Sequence, residues 1–136
     1  PRSTPLYSSA ASDVYKRQAE NNLANLFCAM QTGDLDEFIK IVETEALSLH
    51  AMMMTSNPYF ILMQPNTVEI IHRVFEFRKQ TQTPLCFTLD AGANLHLLYP
   101  KSIKKDVCAF ISEHLVIYCQ NGQYLFDEVG SGAKKV

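Results

Sequence analysis

No stretch of this 136-residue sequence approaches the roughly 20 uninterrupted apolar residues that a bilayer-spanning helix needs, and its N-terminus carries no apolar core of the signal-peptide kind. The expectation is a soluble, cytoplasmic chain without a membrane partner. Excess positive charge is missing too: 12 Lys and Arg stand against 14 Asp and Glu, a net charge of -2. Without a basic field to displace counterions from a phosphate backbone, nucleic acid is not an expected partner. There is no Cys-x-x-Cys pair. Cys28, Cys86, Cys108 and Cys119 are far apart and lie in apolar runs, which points to reduced, buried thiols rather than a disulfide framework. His50, His72, His96 and His114 show no metal-ligand spacing with one another or with the cysteines, so no metal site is expected. Internal repeats are absent as well. What is present suits an ordinary globular protein: 47% apolar and 19% charged residues, enough for one domain with a single core.

The segment from Pro1 to Gln18 has no initiator Met, no helical or strand periodicity and a Ser, Pro and Ala bias. That composition predicts a disordered tail. Ser8 to Gln18 also resembles translated sequencing-adapter DNA of the kind found at the ends of assembled genes, against the alternative of a natural flexible terminus. Residues 1–18 are therefore set apart from the domain expected over residues 19–136.

From Ala19 onward Leu23, Leu26, Phe27 and Met30 recur at helical spacing until Gly33, which predicts a first helix over 19–31. Asp34 with Glu37 three residues later has the form of a capping box, and Leu35, Phe38, Ile39, Val42, Ala46 and Leu49 make one face of a second helix over 35–53. So short a link makes the two an antiparallel pair. Thr55 to Pro58 is turn chemistry. Asn66 reads as the cap of a third helix running to about Gln80, with Val68, Ile71, Val74 and Phe75 inward. Leu85, Phe87 and Leu89 then alternate like a strand, and Leu95 to Tyr99 reads as its return partner. A fourth helix over 102–113 would bury Ile103, Val107, Phe110 and Ile111, and Asn121-Gly122 predicts a hairpin between Leu115–Cys119 and Gln123–Phe126. Helices early and neighbouring strands late make the class α+β, with an antiparallel sheet packed against helices.

The loop Asp90 to Asn94 stands out, because it puts a carboxylate at a strand end beside a Gly that lets main chain approach a ligand. The same residue types also make ordinary turns. Ser48 and His50, two apart on a helix, face different directions, and His50 reads as a helix-face histidine with a local partner. Met52, Met53, Met54 and Met63 read as adaptable core filling, and Lys101, Lys104 and Lys105 as a solvated face. The tail Gly130 to Lys135 lacks the ending and the following helix of a phosphate loop.

Three segments taken together carry a resemblance: Ala46 to Ser56, then Pro65-Asn66-Thr67, then Phe87-Thr88-Leu89-Asp90-Ala91-Gly92-Ala93-Asn94. In order and spacing they resemble the C-terminal domain of diphosphomevalonate decarboxylase, in the superfamily of galactokinase, homoserine kinase and mevalonate kinase. The resemblance implies a ferredoxin-like α+β domain of an enzyme that uses ATP and Mg²⁺ to convert mevalonate 5-diphosphate to isopentenyl diphosphate, ADP, phosphate and carbon dioxide. It implies that Asp90 is the catalytic carboxylate beside the C3 hydroxyl of the substrate, and that Ala91 and Gly92 bring main chain close to that substrate. A homodimer is implied for the whole enzyme, with ATP held mainly by an N-terminal domain that has no counterpart in this chain. Ala93 stands where the family usually has Pro, which frees the unfolded loop by about 0.4 to 1 kcal/mol without touching the carboxylate. The alternatives are a phosphomevalonate or mevalonate kinase relative, and a non-catalytic α+β ligand-binding module.

Overall fold

In a computed structural model of the chain the backbone is described for residues 6–130 and the side chains for residues 16–130. The first helix, α1 (Leu6–Thr32), begins well before residue 19. The expectation of a structureless segment thus fails for Leu6 to Gln18, while residues 1–5 lie outside the described ones. Ala10, Ala11, Lys16, Arg17 and Gln18 are good helix formers, and without an apolar stripe they gave no periodic signal. Gly33, at φ +73°, stops the helix.

Asp34 opens α2 (Leu35–Thr55) by accepting the Glu37 N–H at 3.0 Å. Half of the anticipated capping box forms, since the Glu37 carboxylate turns instead to Lys40, 3.0 Å away. α1 meets α2 through Ala19, Asn22, Leu26 and Ala29, the less exposed row, and the Asn22 amide donates to the Glu45 carboxylate. Leu23, Phe27 and Met30, read as inward-facing, are more than half exposed. Met52 and Met54 are exposed as well, and only Met63 among the four singled-out methionines packs against the core.

α3 (Pro65–Thr81) follows a stretch in which Asn57–Pro58 is cis. Its cap is Gln64, one residue before the Pro, because the fixed φ of Pro65 suits the first helical position and leaves Asn66 inside the first turn. Thr67, Ile71 and Val74 are buried at helical spacing, whereas Val68 and Phe75, expected inside, are each 41% exposed. Two strands come next, β1 (Cys86–Leu89) and β2 (Leu95–Leu98), antiparallel with Phe87 opposite Leu97 and Thr88 opposite His96. They form the whole sheet among the described residues, and the class is α+β. β1 is nearly buried on both faces, joining Ala46, Ile71, Val74, Val107 and Phe110 in one core.

The last third departs furthest from expectation. A 3-10 turn (Lys101–Ile103) leads into α4 (Lys104–Phe110), which widens into a π-helical turn over Ile111–Leu115 and tightens again at Val116–Tyr118. No strand forms over Leu115–Cys119 or Gln123–Phe126. The wide turn carries Leu115 into the core beside Val107, Phe110 and Ile111, and that burial takes the segment away from a hairpin. Asn121 and Gly122 do take positive φ, +55° and +66°, but within a 3-10 turn. Tyr118 secures the result: its carbonyl accepts from the Asn66 amide at 3.0 Å and its hydroxyl lies 3.2 Å from Arg73 and 3.3 Å from Glu69. Lys104 and Lys101, read as solvated, both reach Glu128, at 2.8 and 3.6 Å. Residues 131–136, with most of the Gly-rich tail, lie outside the described ones.

All four cysteines are free, but of the thiols expected to be buried Cys86 alone is; Cys108 and Cys119 are half-buried and Cys28 is exposed. Burial pushes the Cys86 thiol up to about 12, helped by the nearby Glu43 carboxylate.

The core is fastened at one polar point. Glu43 of α2, only 8% exposed, receives a forked pair from Arg78 of α3, with Nη1 to Oε1 at 2.6 Å and Nη2 to Oε2 at 3.1 Å. The Phe87 N–H also donates to Glu43, at 3.2 Å, and Arg78 donates to the Leu85 carbonyl at 3.1 Å. Removing one partner of such a buried pair leaves an uncompensated charge. Arg78→Ala should therefore lower the unfolding free energy by about 3 to 5 kcal/mol in urea denaturation. Arg78→Lys, which cannot fork, should recover only part of the loss. A loss under about 0.5 kcal/mol for Arg78→Ala, the size of a surface substitution, would remove the pair from this role.

Candidate active site

The loop between β1 and β2 is short, and its shape is set from outside by two buried side chains. His50, 1% exposed on α2, directs Nε2 to the Asp90 main-chain oxygen at 3.0 Å. Because a carbonyl can only accept, Nε2 carries the proton in this contact. The Gly92 N–H donates to the same oxygen at 2.7 Å. At the other end Thr67, 3% exposed, donates from its hydroxyl to the Ala93 carbonyl at 2.9 Å, and that hydroxyl accepts the Gln64 N–H at 3.3 Å. One helix thus holds the entry to the loop and another holds its exit.

Between these anchors the Asp90 side chain projects outward and is 65% exposed. Its Oδ2 lies 3.0 Å from His96 Nε2, and this is its one hydrogen bond among the described residues. Ala91 is exposed and Gly92 partly so. A Cβ built on Gly92 would meet nothing within 4 Å, and Gly92 does not have the positive φ of Gly33 or Gly122. Nothing among the described residues requires glycine there. The open space above its main chain is what a close-approaching molecule would use.

Asp90, Ala91 and Gly92 are therefore brought together, as contiguous residues on one exposed loop. Sequence reading missed His50, Thr67 and His96 as parts of it. His50 was expected to have a local partner, but its ring reaches a residue 40 positions away. A signal did exist for His96, since it stands opposite Thr88 in the strand pairing, but only register makes it visible. Among the described residues no cluster of three or more His, Cys, Asp or Glu is placed to hold a metal ion. No helix among them is long and apolar enough to cross a membrane.

A family model described as the mevalonate 5-diphosphate decarboxylase C-terminal domain matches residues 5–133. The chain belongs to this family. The chain is similar to a phosphomevalonate decarboxylase of Haloferax volcanii, 30% identical over 69 residues, which cover 51% of this chain and 21% of that protein. Among solved structures it resembles mevalonate diphosphate decarboxylases from Legionella pneumophila and Enterococcus faecalis. The first is 29% identical, with a TM-score of 0.70, covering 83% of this chain and 34% of that one. The second is 26% identical, with a TM-score of 0.70, covering 76% and 32%. A structure described as MDDEF in complex with MVAPP, AMPPCP and magnesium matches with a TM-score of 0.71 at 26% identity, covering 76% of this chain and 32% of that one. The chain thus spans about a fifth of the curated relative and about a third of these solved chains.

If the two anchors hold the loop, Thr67→Val, which keeps the shape and removes the hydroxyl, and His50→Ala should each loosen it. Losing a partner to a buried group costs about 1 to 3 kcal/mol. Amide exchange at Gly92 should accelerate by roughly tenfold or more, as hydrogen exchange followed by NMR would show. Unchanged exchange in both variants would mean that the loop holds itself.

Proposed function

We propose that this domain supplies the reacting carboxylate of an ATP-dependent decarboxylase that converts mevalonate 5-diphosphate to isopentenyl diphosphate, a step in isoprenoid biosynthesis. One observation carries the reading: Asp90 is held by its main chain through buried His50, while its own carboxylate stands exposed and nearly unpartnered. Family membership supports reading that carboxylate as the reacting one and favours a decarboxylase over the related kinases. In this role an Asp90 oxygen accepts the proton of the substrate's tertiary hydroxyl as the hydroxyl oxygen bonds to the phosphorus from which ADP departs, a contribution of about 10² to 10⁴ in rate. Once that proton has passed on to solvent, the Asp90 carboxylate faces the positive charge that develops at C3 as phosphate departs and stabilises it. Ala91 and Gly92 line the approach with main chain.

Among the described residues no three His, Cys, Asp or Glu side chains come together as a metal-holding group. On this reading ATP and Mg²⁺ are bound mainly by an N-terminal domain outside residues 19–136. The isolated domain is inactive on this reading. On the same reading the enzyme is cytoplasmic and homodimeric with no membrane partner, and a net charge of -2 over these residues offers no basic field for nucleic acid.

A second reading changes the substrate only. The Haloferax volcanii relative is named a phosphomevalonate decarboxylase, so mevalonate 5-phosphate would replace the diphosphate. Offering each substrate with ATP and Mg²⁺ to the longer enzyme and measuring released carbon dioxide separates the two readings. Turnover of the diphosphate is the expected result, and turnover of the monophosphate alone would replace it with the second reading. In the same assay Asp90→Asn should reduce turnover by about 10² to 10⁴. Near-normal turnover would remove Asp90 from the mechanism. Gly92→Ala should leave stability unchanged or raised by about 0.4 to 1 kcal/mol, as expected where φ is compatible. Its kcat/KM should nevertheless fall, since the added methyl enters the space assigned to substrate. A variant with unimpaired kcat/KM would place the substrate elsewhere.

A further inference from the structure

The β1–β2 register dictates an encounter that no motif announces. Side chains two apart along a strand share a face, so Asp90, continuing beyond Thr88, projects on the same side as Thr88. Thr88 pairs across the ladder with His96, and His96 is therefore the diagonal neighbour of Asp90, within reach of a long side chain. The contact is made: His96 Nε2 lies 3.0 Å from Asp90 Oδ2. No other cationic side chain among the described residues comes within 4.0 Å of that carboxylate. The second titratable group at the loop, His50 from α2, faces the main-chain oxygen instead, and the anchor from α3 is the uncharged Thr67.

We infer that His96 is a positioning residue for Asp90: its Nε2–H holds Oδ2, selects one rotamer of the carboxylate and leaves Oδ1 for the substrate hydroxyl. The inference rests on the decarboxylase reading of Asp90. An exposed carboxylate on a loop would otherwise sample its staggered rotamers, only some of which present an oxygen to a fixed substrate. Nε2–H donates both in the neutral Nε2–H tautomer and in the imidazolium, so a donor is needed here rather than a charge. His96 neither gains nor loses a proton in the step: the hydroxyl O–H bond breaks as the Oδ1–H bond forms. Being 53% exposed on the sheet, His96 can be changed without disturbing the core.

Two measurements test this. In the 136-residue chain, the three-bond couplings between the Asp90 Hα and its two Hβ protons should report one dominant rotamer. They should average in His96→Ala and return towards the wild-type values in His96→Gln, which keeps an N–H donor. In the longer enzyme, His96→Ala should lower kcat by roughly 10- to 100-fold with KM little changed, as expected when a reacting group loses its orientation. His96→Gln should restore most of kcat and keep the wild-type pH profile, since it supplies the donor and never a charge. Wild-type couplings or wild-type kcat in His96→Ala would overturn the proposal, as would a Gln variant no better than Ala. A wild-type enzyme without decarboxylase turnover would overturn the functional reading, and the catalytic role of His96 with it. The couplings would still report whether His96 holds Asp90.

Discussion

Among the described residues β1 is paired on one edge only. Leu85 and Phe87, two apart, turn their main-chain groups to the other edge, which is buried against the helices instead of being met by a third strand. Buried main-chain donors and acceptors need partners, and at this edge Glu43 takes the Phe87 N–H while Arg78 serves the Leu85 carbonyl. The forked pair between these two side chains is what allows a two-stranded sheet to have a closed side. It also fixes the rotation of two helices. His50 follows Glu43 by about two turns of α2, and Thr67 precedes Arg78 by about three turns of α3, so both lie close to the faces that the pair turns toward β1. The residues that hold the Asp90 loop are thus aimed by the interaction that satisfies the strand leading into it.

The parts of the fold that were legible in the sequence are those settled within a few residues. Gly33 stops a helix because of its own φ, Asp34 caps the next through a bond to Glu37, and the alternation from Leu85 to Leu89 marks a strand whose partner follows after one loop. Where packing between distant segments decided the outcome, the signal failed. Val116 and Ile117 favour strands, and Asn121-Gly122 favours a tight turn, yet burial of Leu115 through the π-helical turn keeps the segment helical. The apolar row of α1 was visible, but whether α2 would meet Leu23, Phe27 and Met30 or the smaller Ala19, Asn22 and Ala29 depends on how closely two helices approach.

The candidate site divides along the same line. Asp90, Ala91 and Gly92 are contiguous and could be read as a motif, helped by the resemblance of the segments around them. His50, Thr67 and His96 come from a helix, another helix and the return strand, and no local pattern ties them to position 90. Only Thr67 and His50 lay within the segments that carried the resemblance, and neither had a role there. The polar character of a buried His and a buried Thr on otherwise apolar helix faces was the available clue.

His50 grips position 90 by its main-chain oxygen, an atom that every amino acid possesses. The scaffold therefore specifies an address and not its occupant. A change of side chain at that address leaves the path of the loop, its two anchors and the core beneath them in place. Such an arrangement lets the side chain at one position change while the fold that presents it stays unaltered.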